Sequence, residues 1–179
     1  MKVGLIGHAG TGKDTLASYL DTHHGFKVVS MYQPAREILF RGCGDKSEDR
    51  ARLNSLGQVL SEMFGRDVFI RWCSNLITEE KIVIKDARYE NEIEWLLRVC
   101  DMVIRLTAKP ETVLERMLSR KRPGDPRTLE EVLEVWRKET EIDSPLAGVI
   151  TLENSGRLEE LYDRMDTLLT GEGNRANTI

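Results

Sequence analysis

Near the start of the chain stand nine residues whose types and order suit an anionic ligand: Gly7, His8, Ala9, Gly10, Thr11, Gly12, Lys13, Asp14 and Thr15. Glycines let a backbone turn its N–H groups inward around phosphate oxygens, and Lys13 supplies a point charge for the far end of a polyphosphate. The apolar run Val3 to Ile6 precedes the loop and a helical pattern from Leu16 to Leu20 follows it, so the loop opens a helix whose N-terminus adds partial positive charge. Together these features imply a cradle for the β- and γ-phosphates of ATP with Mg²⁺. The strict pattern puts Ser or Thr directly after the Lys as a metal ligand, but here Asp14 holds that place and Thr15 comes next. The competing reading is a Gly-rich turn that holds no nucleotide.

A second group lies at the end of another apolar run, Ile82-Val83-Ile84-Lys85-Asp86, followed by Ala87-Arg88-Tyr89-Glu90-Asn91-Glu92. In a parallel sheet the carboxyl ends of neighbouring strands share one edge, which brings Asp86 beside the phosphate loop. Asp86 could orient Mg²⁺-bound water and Arg88 could grip a phosphate oxygen with its planar fork; the alternative for Asp86 is a helix cap.

The elements that must hold these groups are legible as alternating runs. Strand-like segments fall at Val3 to Ile6, Lys27 to Ser30, Ile82 to Lys85, Met102 to Leu106 and Val149 to Leu152, with helical periodicity between them. This alternation predicts an α/β fold with a parallel sheet covered by helices. Apolar stripes at Leu53, Leu56, Leu60 and Met63, at Val113, Leu114, Met117 and Leu118, and at Leu158, Leu161, Met165 and Leu168 are read as core. Arg41 to Asp49 and the Pro-containing Arg120 to Thr128 read as mobile loops, and 171–179 as a flexible tail.

Composition narrows the function classes. With 179 residues, 40% hydrophobic and 31% charged, the chain suits one soluble domain with a single core. A net charge of −4 gives no overall field for nucleic acid, and no apolar segment approaches a membrane span, so neither partner is expected. Cys43, Cys73 and Cys100 are far apart and suit free thiols in a reducing cytoplasm.

The segment Asp86-Ala87-Arg88-Tyr89-Glu90-Asn91-Glu92 resembles the Asp-x-Arg-Phe/Tyr-x-Asn-Glu signature of phage-type deoxynucleoside monophosphate kinases, enzymes that also favour Gly-Lys-Asp-Thr. Similarity continues through Arg50 to Gly57, Phe64 to Phe69 and Ile150 to Leu161, and the wider adenylate kinase and dephospho-CoA kinase-like superfamily shares the two sharp motifs in looser form. The resemblance implies a P-loop NTPase fold, a five-stranded parallel sheet in the order 2-3-1-4-5. It implies one kinase domain over 1–170, with an acceptor-binding excursion at 31–75 and a lid region at 116–140. It also implies a metal held by Thr15 and Asp86 largely through water. Arg36 would pair with Arg88 on the acceptor phosphate, and the lid would bring Arg116, Arg120, Arg122 and Arg127 over the transferring group. Asn154, Ser155 and Gly156 would wall the adenine ring. For these arginines a solvated basic face, and for 154–156 a turn and cap, stand as alternatives.

The activity so implied is transfer from ATP to a nucleoside or deoxynucleoside monophosphate, by a monomer or homodimer. Switch GTPases fit poorly, because DxxG and NKxD segments do not occur. The end of the second strand, Val28-Val29-Ser30-Met31-Tyr32, offers no carboxylate, which disfavours a hydroxyl acceptor of the dephospho-CoA kinase type, although Asp14 remains a candidate base. A nucleotide-binding regulator or slow ATPase is the third reading.

Overall fold

The computed structural model describes residues 1–44, 50–122, 124–139, 143 and 146–171. Its strands are β1 (Lys2–Ile6), β2 (Lys27–Ser30), β3 (Ile82–Lys85), β4 (Met102–Thr107) and β5 (Val149–Glu153). All neighbours pair in parallel, in the order β2-β3-β1-β4-β5. This is the P-loop kinase fold expected from the sequence, with β1, β4 and β5 each one residue longer at one end than the β-branched runs suggest.

The helices are α1 (Lys13–His24), α2 (Gln33–Glu37), α3 (Arg50–Phe64), α4 (Val68–Leu76), α5 (Glu90–Val99), α6 (Pro110–Arg120), α7 (Leu129–Arg137) and α8 (Leu158–Thr170). Because side chains alternate across a strand, each strand feeds two cores. Val3, Leu5, Val83, Ile104 and Leu152 meet Leu16 and Leu20 of α1 and Leu161 and Met165 of α8 on one face. Ile6, Val29, Ile82, Ile84 and Val103 meet Phe69 and Cys73 of α4 and Ile93 and Leu96 of α5 on the other. The helices α6 and α7 form a smaller cluster, Val113, Met117 and Val132, that reaches the phosphate loop at Ala9. Among the described residues no helix is long and apolar enough to cross a membrane.

Three residues expected in the core are exposed: Met63 by 70%, Leu118 by 48% and Leu158 by 39%. Leu53, Leu56 and Leu60 pack as expected, but α3 runs on past its neighbours and carries Met63 beyond them. Leu118 lies about 100° around α6 from the buried Met117, and Leu158, the first residue of α8, faces the cleft. The expected loop at Arg41 to Asp49 also begins later than predicted. Leu39 packs against Tyr32 and Ala35 and draws α2 on into a π-helical turn, Ile38–Gly42, closed by the Cys43 N–H on the Ile38 and Leu39 carbonyls. Residues 45–49 of that loop, and 172–179 of the tail, lie outside the described residues.

Candidate functional site

From β1 the chain crosses to β2 on one side and later to β4 on the other, so the carboxyl end of β1 is where ligand crevices form in such sheets. A cleft of about 400 Å³ opens there, a size suited to a small-molecule ligand. Ala9, Gly10, Gly12, Lys13, Asp14 and Thr15 line it.

The loop is held from behind by its own residues and by β5. The Thr11 hydroxyl donates to the His8 carbonyl at 2.8 Å, and α1 starts where Leu16 N–H donates to Gly12 O at 3.0 Å. Asn154, 3% exposed, donates its backbone N–H to Thr107 O at 2.7 Å and its side-chain amide to Thr11 O at 2.8 Å. Gly12 has φ 104, and a Cβ there would stand 2.3 Å from that amide nitrogen, so conformation and close approach both demand glycine. Lys13 donates to Gly7 O at 2.6 Å and His8 O at 2.8 Å.

Helix α7 and the residues after it grip the same loop. His8 stacks on Trp136 at 4.8 Å and 16°, and Trp136 Nε1 donates to Ala9 O at 3.2 Å. Glu139 accepts the Ala9 N–H at 3.2 Å and lies 3.3 Å from His8 Nδ1, while His8 Nε2 lies 2.9 Å from Asp143. Burial alone would lower the pKa of His8, but its hydrogen bonds to the two carboxylates outweigh that and raise it above the ordinary value.

Beyond the loop lies a compact charge network. Asp86 directly follows β3 with φ 72, a strained conformation that Asp tolerates better than most residues. Its Oδ2 accepts from Ser30 Oγ at 2.6 Å and from Lys85 Nζ at 3.0 Å, and Lys85 also donates to Asp14. Burial opposes ionisation of Asp86, yet the Lys85 and Lys13 ammonium charges and these hydrogen bonds hold its carboxyl well below the usual carboxylate range. For Lys85 burial favours the neutral amine, but Asp86 and Asp14 more than compensate and raise its pKa.

Two carboxylates and the exposed Thr15 hydroxyl are oxygen donors of the kind Mg²⁺ takes, so the residues fit that ion. Among the described residues no group of three or more His, Cys, Asp or Glu side chains could hold a metal. Mg²⁺ here would draw its remaining ligands from water and phosphate, as such sites commonly do.

Facing the loop, Arg88 lies 4.4 Å over the Tyr32 ring and donates to Asn54 Oδ1 at 2.8 Å. Tyr32 reaches this place because Gly57 lacks a side chain: a Cβ there would meet the ring at 2.8 Å. The start of α5 is fixed by Glu92, fully buried, whose Oε2 accepts the backbone N–H groups of Arg88 at 2.8 Å and Tyr89 at 3.2 Å. Arg36 lines the same wall with its Nε buried and without a hydrogen-bond partner, and Arg116 Nη1 is in the same condition on the other wall. Arg116 Nη2 donates to Asn154 Oδ1 at 3.3 Å, and burial lowers the pKa of its guanidinium.

The structure thus brings most of the predicted residues to one cleft, Arg120, Arg122 and Gly156 included. Gly7, His8 and Thr11 stand behind the lining rather than on it, as supports of the loop. Arg120 makes a two-pronged pair with Asp125, at 2.5 and 2.8 Å, which raises its pKa. Arg127 is not brought to the cleft: its side chain is exposed and its N–H donates to Glu131 at 2.6 Å at the start of α7. Asn154 fixes the loop from below, with Arg116 on its free oxygen, and Ser155 Oγ accepts the Lys109 N–H at 2.9 Å. Sequence reasoning assigned no role to Lys85, Ser30, Tyr32, Asn54, Glu92, Trp136 or Glu139. A Lys closing an otherwise apolar strand was the one available signal among them.

Loop, sheet order and crevice define a P-loop NTPase domain. The chain belongs to the family described as AAA domain, AAA_18, whose model matches residues 3–139, and to that of the UPF0200 proteins. It is 33% identical to a UPF0200 protein of Staphylothermus marinus, over 88% of this chain and 85% of the relative. To one of Hyperthermus butylicus it is 31% identical, over 94% and 95%. In fold it is similar to shikimate kinase from Aquifex aeolicus, with TM-score 0.62 and 20% identity over 99% and 100% of the two chains. Shikimate kinase from Bacteroides thetaiotaomicron gives TM-score 0.63 and 15% identity over 95% and 98%.

Proposed function

We propose that the protein is an ATP-dependent phosphotransferase whose acceptor is itself a phosphate group, as in a nucleoside or deoxynucleoside monophosphate kinase. The observation that carries this reading is the pair of buried guanidinium nitrogens without partners, Arg36 Nε and Arg116 Nη1. An orphaned buried donor costs about 1–3 kcal/mol, and anionic oxygens on both sides of the loop would satisfy these two. Arg36 follows β2 and Arg116 follows β4, strands that lie on opposite sides of β1 in the sheet. One cation therefore suits the acceptor phosphate and the other the ATP side.

The state of the carboxylates supports the same choice. A hydroxyl acceptor benefits from a free base, whereas an acceptor phosphate is already ionised at neutral pH. Asp14 and Asp86 both pair with Lys85, and Asp86 is a very weak base. In the proposed step an acceptor phosphate oxygen bonds to the γ-phosphorus of ATP as the bond to the β,γ-bridging oxygen breaks, leaving ADP and a diphosphate. Lys13 exchanges the Gly7 and His8 carbonyls for phosphate oxygens, Arg88 and Arg36 orient the acceptor, and Arg116 and Arg120 meet charge on the transferred group. Mg²⁺, held from Thr15 and Asp86 through water, would neutralise charge on the β- and γ-oxygens.

Coupled measurement of ADP release with a panel of acceptors tests this reading. Stimulation by one or more nucleoside monophosphates is expected. Equal release without acceptor would leave an ATPase or regulator, and stimulation by dephospho-CoA or another hydroxyl acceptor alone would overturn the choice of phosphate acceptor.

A further inference from the structure

The cation between the two site carboxylates belongs to the chain itself. Lys85 is the last residue of β3, in register with Leu5 of β1 and Ser30 of β2, so it stands in the middle of the sheet's carboxyl edge. Its residue is 7% exposed, and the three before it, Ile82, Val83 and Ile84, are fully buried. From this position its ammonium contacts Asp14, which follows the loop Lys, and Asp86, the residue just past the strand. Asp14 stands where the strict loop motif has its metal-ligating Ser or Thr, and Asp86 stands just past a neighbouring strand, where P-loop NTPases place a second metal-ligating carboxylate.

Two carboxylates converging on one point would otherwise attract a hard divalent cation. The ammonium occupies that point, neutralises one of the two charges and takes one oxygen from each carboxylate. A second Asp86 contact is also spoken for, since Ser30 Oγ donates to the same Oδ2. A surface ion pair would be indifferent to metal. A buried ammonium between two metal-type ligands is not, because the cation and a dication compete for the same oxygens.

We propose that Lys85 is a positioning residue that keeps free divalent cations off the Asp14 and Asp86 pair, so that metal reaches the site only as the nucleotide complex. The second half of this statement rests on the proposed ATP-binding reading; the first half does not. A loop that admitted free Mg²⁺ would carry a bound dication before nucleotide arrived, whereas here the Lys85 ammonium already sits between the two carboxylates and that of Lys13 also acts on Asp86. That arrangement leaves the metal's ligands to be supplied by phosphate oxygens and water.

The test is Mn²⁺ binding to the full chain without nucleotide, read by the loss of the free-ion electron paramagnetic resonance signal. The unmodified protein is expected to show no site at about millimolar Mn²⁺ or below. Lys85→Gln, which keeps a hydrogen-bond donor but removes the charge, should bind Mn²⁺ about tenfold or more tightly than wild type. The double variant Lys85→Gln with Asp14→Asn should lose that gain, and Lys85→Arg should behave as wild type. Equal Mn²⁺ affinity in wild type and folded Lys85→Gln overturns the proposal, as does micromolar binding by the unmodified protein, a result that needs no variant to fold. Should Lys85→Gln not fold, Lys85→Met answers the same question with a side chain matched to the buried stem. Adding a non-hydrolysable ATP analogue to wild type should create an Mn²⁺ site. If the analogue does not bind even in the absence of metal, the ATP reading fails while the comparison without nucleotide still stands.

Discussion

The two walls of the cleft are built on opposite principles. On the phosphate-loop side Arg116 Nη1 is the exception among groups that otherwise have partners within the chain: Lys13 on two carbonyls, Asn154 on Thr11, Glu139 on Ala9, and Asp86 on Ser30 and Lys85. On the facing side, Arg36 holds a buried nitrogen with no partner, and Arg88 is held by a ring face and one amide oxygen. A wall satisfied in advance gives geometry without needing its ligand. A wall with an orphaned donor carries a cost in the free protein that an anion would relieve. The first arrangement suits a preorganised phosphate cradle and the second suits recognition of an incoming anionic substrate.

The contrast is broken most severely at Lys13. Lys13→Ala should lower the rate of phosphoryl transfer by about 10²- to 10³-fold, the scale for removing one preorganised charge contact. Its ammonium donates to two carbonyls of its own loop, Gly7 O and His8 O, and bridges no two elements through them, so thermal unfolding should shift little. Single-turnover kinetics beside a melting curve checks both halves. A variant with wild-type rate would remove Lys13 from the chemistry, and one that cannot fold would make it a structural residue.

The next effect sharpens the contrast. Arg36→Ala and Arg88→Ala should each raise the acceptor KM by about tenfold, roughly one charged hydrogen bond, and leave ATP affinity in place. The two should part company in stability. Removing Arg36 deletes an unsatisfied buried donor, so urea unfolding of Arg36→Ala should show stability equal to or above wild type. Arg88→Ala also loses stacking on Tyr32 and the bond to Asn54, and should be less stable by about 1 kcal/mol. An equal loss of stability in both variants would contradict the difference drawn between these two arginines.

The same division decided what could be read from sequence. The phosphate loop and sheet order were legible because glycines at Gly7, Gly10 and Gly12 beside Lys13, and five short apolar runs, are local signals tied to one geometry. Arg88 and Asp86 were legible through their spacing at a strand end. Lys85 was not, since a Lys at a strand end ordinarily reaches solvent; only the parallel register with Leu5 and Ser30 buries it between two carboxylates. Tyr32 and Asn54 escaped for a similar reason: 22 positions separate them, and only the close approach at Gly57 brings α3 against Tyr32. Arg127 was misplaced because composition shows that a loop is basic but not which of its side chains turns inward. Met63 and Leu118 were misplaced because a helical stripe shows which face is apolar but not where its cover ends or how far round it reaches.

The smallest effect separates the loop's internal support from α7 and the residues after it, which grip the loop. His8 stacks on Trp136 and reaches Glu139 and Asp143, so its imidazolium ties the phosphate loop to the end of α7 and the residue beyond. Its pKa is raised in the folded protein above the 6.5 of an unperturbed His. A group raised in this way binds its proton more tightly when folded. Its contribution is therefore fully present below pH 6.5 and is lost as pH climbs through the raised value. His8→Gln should cost about 1 kcal/mol at pH 6 and less at pH 9, because the glutamine can donate to only one carboxylate and carries no charge to lose. Asp143 is 66% exposed at its side chain, which screens that pair and keeps the effect small. Urea unfolding of both proteins at the two pH values measures it. A gap that widens with rising pH would reverse the sign and show that the neutral imidazole, stacked on Trp136, is the form that holds α7 to the loop.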